Sequence, residues 1–313
     1  MIKRSDCSGI VAAVVIFLVF CIFTDGFLTQ YNIFNVSRTA SLYMFIAVGQ
    51  ALVLIVGGMN LSLGAIGSLS VVVFGYCCQN LGWGFIPALA ASLAIGGVCG
   101  LANGLIISKL NLNPFIVTLA TSFVFSGLYI GISQGYPYTE LPAFVNTLGR
   151  GSFLKMPLFF WIMLVMAAGI WFVFKYTVFG RRLLATGGNA TAARLSGINT
   201  ARIYLIANVL SGVFAALAGF FFTARQGTAS PTTGSEWMLA SFAVAAMGGT
   251  ALSGGSISGI GLVFSAYLYA FIKNGLVLLN VDMYYEQSYL GVIILAAICF
   301  ETVRTKYVKL RHL

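Results

Sequence analysis

The chain has 313 residues, 59% of them hydrophobic and 8% charged, with a mean hydropathy of +0.97. So few charged residues cannot build a water-facing exterior, which excludes a soluble globular protein and leaves lipid as the solvent for the outward side chains. The formal charge of +10 belongs to Lys and Arg flanking apolar runs and calls for no nucleic acid.

Apolar runs long enough to cross about 30 Å of hydrocarbon predict an all-α polytopic protein of about ten spans, forming one membrane domain over residues 1–313. The first run, 8–24, is followed by Asp25 with no small-x-small cleavage site, and reads as a retained helix. The second, 40–57, ends on GGMNLSLG (57–64), and the third, 64–78, is short for a full crossing. The fourth, 86–106, carries Gly96, Gly100 and Gly104 on one helical face, the signature of a close helix contact. The fifth, 114–132, sets Thr118 and Thr121 one turn apart, and the sixth covers 157–175.

The longest polar interruption follows, YTVFGRRLLATGGNATAARLSGINTAR (176–202). Asn189 is a good N-cap there, 190–196 is Ala-rich and helical, and Gly197 stands at a left-handed C-terminal cap. Two helical turns are unstable alone in water, so this helix either lies on the bilayer, anchored by Arg194, or docks into a partner. The seventh run is 203–223. The eighth, 237–249, is again short and runs into GGTALSGG (248–255), ahead of the ninth at 258–278 and the tenth at 288–301.

Both short spans therefore abut the phrase Gly-Gly-x-x-Leu-Ser-x-Gly. Gly57, Gly58, Gly248 and Gly249 would break the helices at membrane depth, with Asn60, Ser62 and Ser253 capping the exposed ends. Gly-interrupted spans in two halves of a chain point to a transport pathway, and the plain alternative is that the glycines only pack helices. A small polar solute would need dispersed hydroxyl and amide groups, for which Asn60, Ser62, Thr118, Thr121 and Ser253 are suited.

With both termini cytoplasmic, the inner side takes Lys3, Arg4, Lys109, Lys175, Arg181, Arg182, Arg194, Arg202, Arg304, Lys306, Lys309 and Arg311, twelve of the 17 basic residues. The outer side keeps Arg38, Arg150, Lys155, Arg225 and Lys273 with most of the acids, as the positive-inside rule requires.

GGMNLSLG, NPFIVTLAT, FGRRLLATGGNATAARLSGI, GGTALSGG and NGLVLLNVDMYYEQ, in this order between about residues 40 and 300, resemble the permeases of ribose-type ABC sugar importers. The resemblance implies a ten-span permease, in the bacterial cytoplasmic (inner) membrane, paired with a second copy or a paralogue. A cytoplasmic ABC ATPase dimer or double ATPase would drive it, with ATP and Mg on that partner and no cofactor on this chain. A periplasmic or lipid-anchored sugar-binding protein would feed it. The stretch Asn189–Gly197 matches the family's coupling helix, so Arg181, Arg182, Gly187, Gly188, Asn189, Ala192, Arg194, Leu195, Ser196 and Gly197 are expected to meet the ATPase. Arg38, Arg150, Lys155 and Arg225 are expected to meet acids on the binding protein. The chain departs from the family in one place, carrying Asn60 where Asp is usual.

Other classes fit less well. No G-x-x-x-x-G-K-[ST] loop is present, so the chain is not itself the ATPase. The single histidine, His312, is in the tail, and Cys7, Cys21, Cys77, Cys78, Cys99 and Cys299 lack zinc spacing and read as small apolar fillers, leaving neither an enzyme's acid/base set nor a metal site. An ion-gradient-driven transporter or channel for a small polar solute is the alternative, disfavoured because no ionisable residue falls at mid-span. Within importers, a branched-chain amino-acid permease is the nearest competitor. The sugar remains open: ribose, another pentose, a hexose, an inositol-like polyol or a furanone-type signal.

Overall fold

A computed structural model describes residues 4–24 and 26–282, with 285, 287–289, 291, 292 and 295 beyond them. The elements in order are α1 (Arg4–Phe23), α2 (Gln30–Leu54), α3 (Leu63–Gln79), α4 (Phe85–Leu110), α5 (Pro114–Ser133), α6 (Ala143–Arg150), a hairpin of β1 (Ser152–Phe153) and β2 (Met156–Pro157), α7 (Leu158–Tyr176), α8 (Val178–Gly188), α9 (Ala190–Leu195), α10 (Thr200–Gln226), α11 (Trp237–Met247) and α12 (Gly259–Leu278). Among the described residues, six helices (α2, α4, α5, α7, α10 and α12) are long and apolar enough to cross a membrane, and Ala12–Phe23, α3 and α11 are shorter apolar helices. The expected tenth span, 288–301, lies almost wholly outside the described residues.

The largest difference from expectation is at α2, which begins at Gln30, ten residues ahead of the apolar run that starts at 40. Its first turns are polar (Gln30, Asn32, Asn35, Ser37, Arg38, Thr39), so hydropathy hides them, yet the Thr29 hydroxyl caps the helix by accepting from Asn32 N. Two further elements are absent from the hydropathy pattern. The amphipathic α6 and its hairpin cover one end of the bundle, and at the other end α8 makes the interruption 176–202 more helical than its Ala-rich stretch alone.

In the most apolar window of α2, 89% of residues are buried, against 17% in α5 and in α7. Thus α2 is the central post of the bundle, while α5 and α7 turn most of their surface outward, as lipid-facing helices do. Gly96 and Gly100 of α4 bring that helix onto the backbone of α10: a Cβ on Gly100 would overlap Asn208 O, and one on Gly212 would overlap Gly96 O. Gly104 completes the seam, its Cβ position lying 3.1 Å from Leu205 Cα. Gly100→Leu is therefore expected to cost about 3 kcal/mol or more of stability, read as a lowered melting temperature in detergent. Gly97→Ala, where a Cβ meets only Val213 at 3.5 Å, should change it little.

Candidate functional site: a polar cavity and a glycine junction

At the end of the bundle away from α8 and α9, a cavity of about 640 Å³ opens among α2, α10, α11 and α12. Asn35, Thr39 and Tyr43 reach it from α2, Arg225 from α10, and Lys273 and Asn274 from α12, with Glu236 just ahead of α11. Lys273 Nζ lies 3.1 Å from Glu236 Oε2. Asn274 exchanges amide hydrogen bonds with Asn32 at 2.8 and 3.0 Å, which locks α12 to the polar start of α2. Arg38 donates to Asn35 Oδ1 at 3.0 Å and lies within electrostatic reach of Arg225.

This changes the place of two expected docking residues. Arg225 is half-buried in the cavity wall and Arg38 is half-buried beside that wall, whereas Arg150, closing α6, and Lys155, in the hairpin turn, are exposed at the same end. Lys273, Glu236 and Asn274 were not expected to belong to a site. A signal was available, since Asn35, Thr39, Tyr43 and Gln50 fall within an arc of roughly 80° at 100° per residue and so form one polar stripe down α2.

Gln50 lies two turns past Tyr43, about 10 Å further along the axis. It is fully buried and neither its Oε1 nor its Nε2 has a hydrogen-bond partner. The hydroxyls of Thr223 in α10 and Thr250 in the second glycine phrase are likewise buried and unpartnered. An unsatisfied buried polar group costs about 1–3 kcal/mol, and its presence deep in an apolar bundle marks functional use more than packing.

Below it, the first phrase breaks the chain between α2 and α3. Asn60 Nδ2 donates to Ser211 Oγ of α10 at 2.9 Å, and its Oδ1 accepts from Ser62 N at 3.1 Å and Ser62 Oγ at 2.7 Å. Asn103 of α4 donates to Ser62 Oγ at 2.8 Å, and Leu61 N donates to Thr118 Oγ1 of α5 at 3.1 Å. Asn60, Ser62 and Thr118 are thus brought together, all fully buried. In this conformation they tie α3, α4, α5 and α10 into one knot and line none of the cavities described. Thr121 sits beside the knot, bonded to Thr118 O at 3.2 Å. Ser253 is apart from it, exposed, and caps nothing; Ser258 caps α12 instead, accepting from Gly261 N at 3.0 Å. Asn60→Leu should destabilise by about 1–3 kcal/mol for each partner left unpaired, and Asn60→Asp by less than half as much, in thermal unfolding of the purified protein.

The two phrases meet each other. Gly57 (φ +79°) turns the chain out of α2 into the first break and Gly249 (φ +78°), Gly254 (φ +90°) and Gly255 (φ +79°) bend the second, conformations that favour glycine. Gly255 N donates to Ile55 O at 2.9 Å. The C-terminus of α8 is wedged between them: a Cβ on Gly187 would overlap Ile55 O and stand 2.7 Å from Gly255 N. Gly58 lies against the Tyr204 ring, and Gly248 against Leu262 and Ser265 of α12. Glycines from three segments therefore make one junction, in which α8 touches the ends of both broken helix pairs.

From that junction α8 leads straight into α9. Asn189 Oδ1 accepts from Ala192 N at 2.9 Å, Ser196 Oγ donates to Ala192 O at 3.0 Å, and Gly197 adopts φ +81°. Leu195 is 86% exposed, with Ala192, Ser196, Arg181, Arg182 and Gly188 also facing outward. Arg194 is exposed too, but its Nε donates to Thr200 Oγ1 at 2.9 Å and so braces α9 on α10. An apolar side chain so exposed on a short capped helix suits a protein contact. Among the described residues, no group of His, Cys, Asp or Glu could hold a metal ion.

Residues 32–298 match the family described as branched-chain amino acid transport system / permease component. The ribose import permease protein of Escherichia coli (strain K12) is 33% identical over 298 residues, covering 93% of this chain and 91% of its own. The ribose import permease protein of Bacillus subtilis (strain 168) is 37% identical over 291 residues, 92% and 89% of the two chains. The galactose/methyl galactoside import permease protein of E. coli (strain K12) is 31% identical over 316 residues, 95% and 94%. No solved structure matches. The chain is thus a multi-pass membrane protein and belongs to this family of transport permease subunits, which are not enzymes and in which ATP hydrolysis resides on a separate subunit.

Proposed function

We propose that the chain, as one permease domain, conducts a monosaccharide or related small polyol across the bacterial cytoplasmic membrane in an ATP-driven importer. Its termini then face the cytoplasm and the polar cavity faces outward, which puts α8 and α9 beside an ABC ATPase dimer or double ATPase holding ATP and Mg. The chain itself needs no cofactor. A second copy or a paralogue completes the pore, and a sugar-binding protein delivers the solute to the cavity end, where Arg150 and Lys155 are exposed.

The observation that carries this reading is continuity. One helix, α2, lines the cavity at Asn35, Thr39 and Tyr43, holds the unpartnered Gln50 midway, and ends at Ile55, against which Gly187 of α8 is seated. A push on α9 reaches α8 and then the ends of α2 and α11–α12, whose other ends shape the cavity. Sugar hydroxyls would bond transiently to the cavity side chains and then to Gln50, with Thr223 and Thr250 as further donors. Dispersed groups of this kind hold a solute weakly enough to release it. The Asn60–Ser62–Thr118 knot serves as the fixed side against which the glycine junction bends, with Thr121 at the margin of the knot and Ser253 in the second glycine phrase.

The test is uptake of radiolabelled sugar into vesicles containing the permease, its ATPase and its binding protein. Accumulation that requires ATP, survives ionophores and is lost without the binding protein supports the reading. Accumulation driven by a proton or sodium gradient without ATP would replace it with secondary transport.

A further inference from the structure

The cavity carries more positive charge than a neutral sugar requires. Arg225 is half-buried in its wall and Arg38 lies beside it, so two guanidiniums act on each other with like charge. Among the described residues Glu236 is the one carboxylate on the wall, and Lys273 holds it at 3.1 Å. Two like charges partly withdrawn from water are eased by an anion that comes between or onto them. Hydroxyl recognition is already supplied by neutral groups such as Asn35, Thr39 and Asn274. What a guanidinium adds is a planar fork that grips a carboxylate or phosphate with two parallel hydrogen bonds. The volume, about 640 Å³, is ample for a monosaccharide with an acidic group and its waters.

We propose that the cavity selects an acidic sugar, a monosaccharide-sized polyol carrying one carboxylate or phosphate, with Arg225 gripping the acid and Arg38 reinforcing it. This rests on the cavity being the solute's path. The hydroxylated end would lie toward Asn274 and Thr39, and the acid at Arg225 would be released as α2 and α10 shift apart.

The experiment uses the full-length permease in nanodiscs, its melting temperature titrated with D-gluconate, D-glucose 6-phosphate, D-glucose and inorganic phosphate. Gluconate or glucose 6-phosphate should act at a concentration at least tenfold lower than glucose, and whichever is stronger decides between carboxylate and phosphate. Arg225→Gln should cut that preference below threefold, and Arg38→Gln should cut it partly, because each weakens the action of the acids more than that of glucose. Equal action of glucose and the two acids on the wild type would overturn the charge assignment and leave the cavity as a sugar site. Action of inorganic phosphate as strong as either acid would overturn selection of a sugar. No effect of any sugar, together with normal uptake in Asn274→Leu, would overturn the cavity as the path and the present inference with it. If both arginine variants keep the preference but weaken association of the binding protein, the arginines are docking residues and the inference fails.

Discussion

Gly187→Ala is expected to reduce ATP-driven uptake at least a hundredfold while Gly188→Ala keeps it within about twofold. The two glycines are neighbours at the end of α8, and neither has a positive φ, so helix propensity treats them alike. Their surroundings do not. A Cβ at Gly187 would overlap Ile55 O and crowd Gly255 N, whereas one at Gly188 meets nothing within 4 Å. Alanine at 187 must therefore lift α8 off the ends of α2 and of the second break, at a local cost of about 1–3 kcal/mol. The junction would no longer transmit motion, although the spans and the exposed face of α9 remain. Membrane insertion and ATPase binding should persist, with basal ATP hydrolysis retained and its stimulation by loaded binding protein lost. Normal stimulated hydrolysis in Gly187→Ala would show that α8 transmits nothing through this contact.

Gln50→Met is expected to raise stability by about 1–3 kcal/mol and to lower uptake at least tenfold, an opposition that packing alone does not produce. The native amide is fully buried with both its oxygen and its nitrogen unpartnered. Methionine matches its length and removes the unsatisfied polar atoms, so the resting bundle gains. A sugar passing from Tyr43 toward the junction would lose its one amide partner at mid-depth. Thermal unfolding and initial uptake rate, measured on the same vesicles, check both halves. Unchanged uptake with raised stability would make Gln50 a mere flaw in packing.

Much of this architecture is legible in the residues because lipid imposes simple rules. Long apolar runs became α4, α5, α7, α10 and α12 within a few residues of expectation, since a crossing has a fixed length. The caps at Asn189 and Gly197 were legible for a similar reason: capping is local chemistry. The start of α2 was not, because Asn32, Asn35 and Thr39 are polar residues paid for by tertiary partners that a hydropathy window does not contain. Ser253 and Ser258 show the same limit on a smaller scale. Ser253 lies inside the second glycine phrase and Ser258 three residues after it, and only the path of the loop decides which hydroxyl meets Gly261 N. The convergence of Gly57, Gly187 and Gly255 is a contact among segments far apart in the chain, beyond what any motif or period encodes. Asn60 was expected on the pathway for its chemistry, and that same chemistry is spent on Ser211 and Ser62 in the knot.

Passage of solute through the cavity between α2 and α12 can be read from chemical block and protection at Asn274. In a chain with its native cysteines replaced, Asn274→Cys would be treated with a bulky water-soluble thiol reagent in vesicles carrying the ATPase and the sugar-loaded binding protein. Labelling is expected to stop uptake, transported sugar to slow labelling during ATP hydrolysis, and the same reagent at a cysteine in place of the exposed Asn80 to leave transport running. Full uptake with Asn274→Cys completely labelled would contradict passage through this cavity.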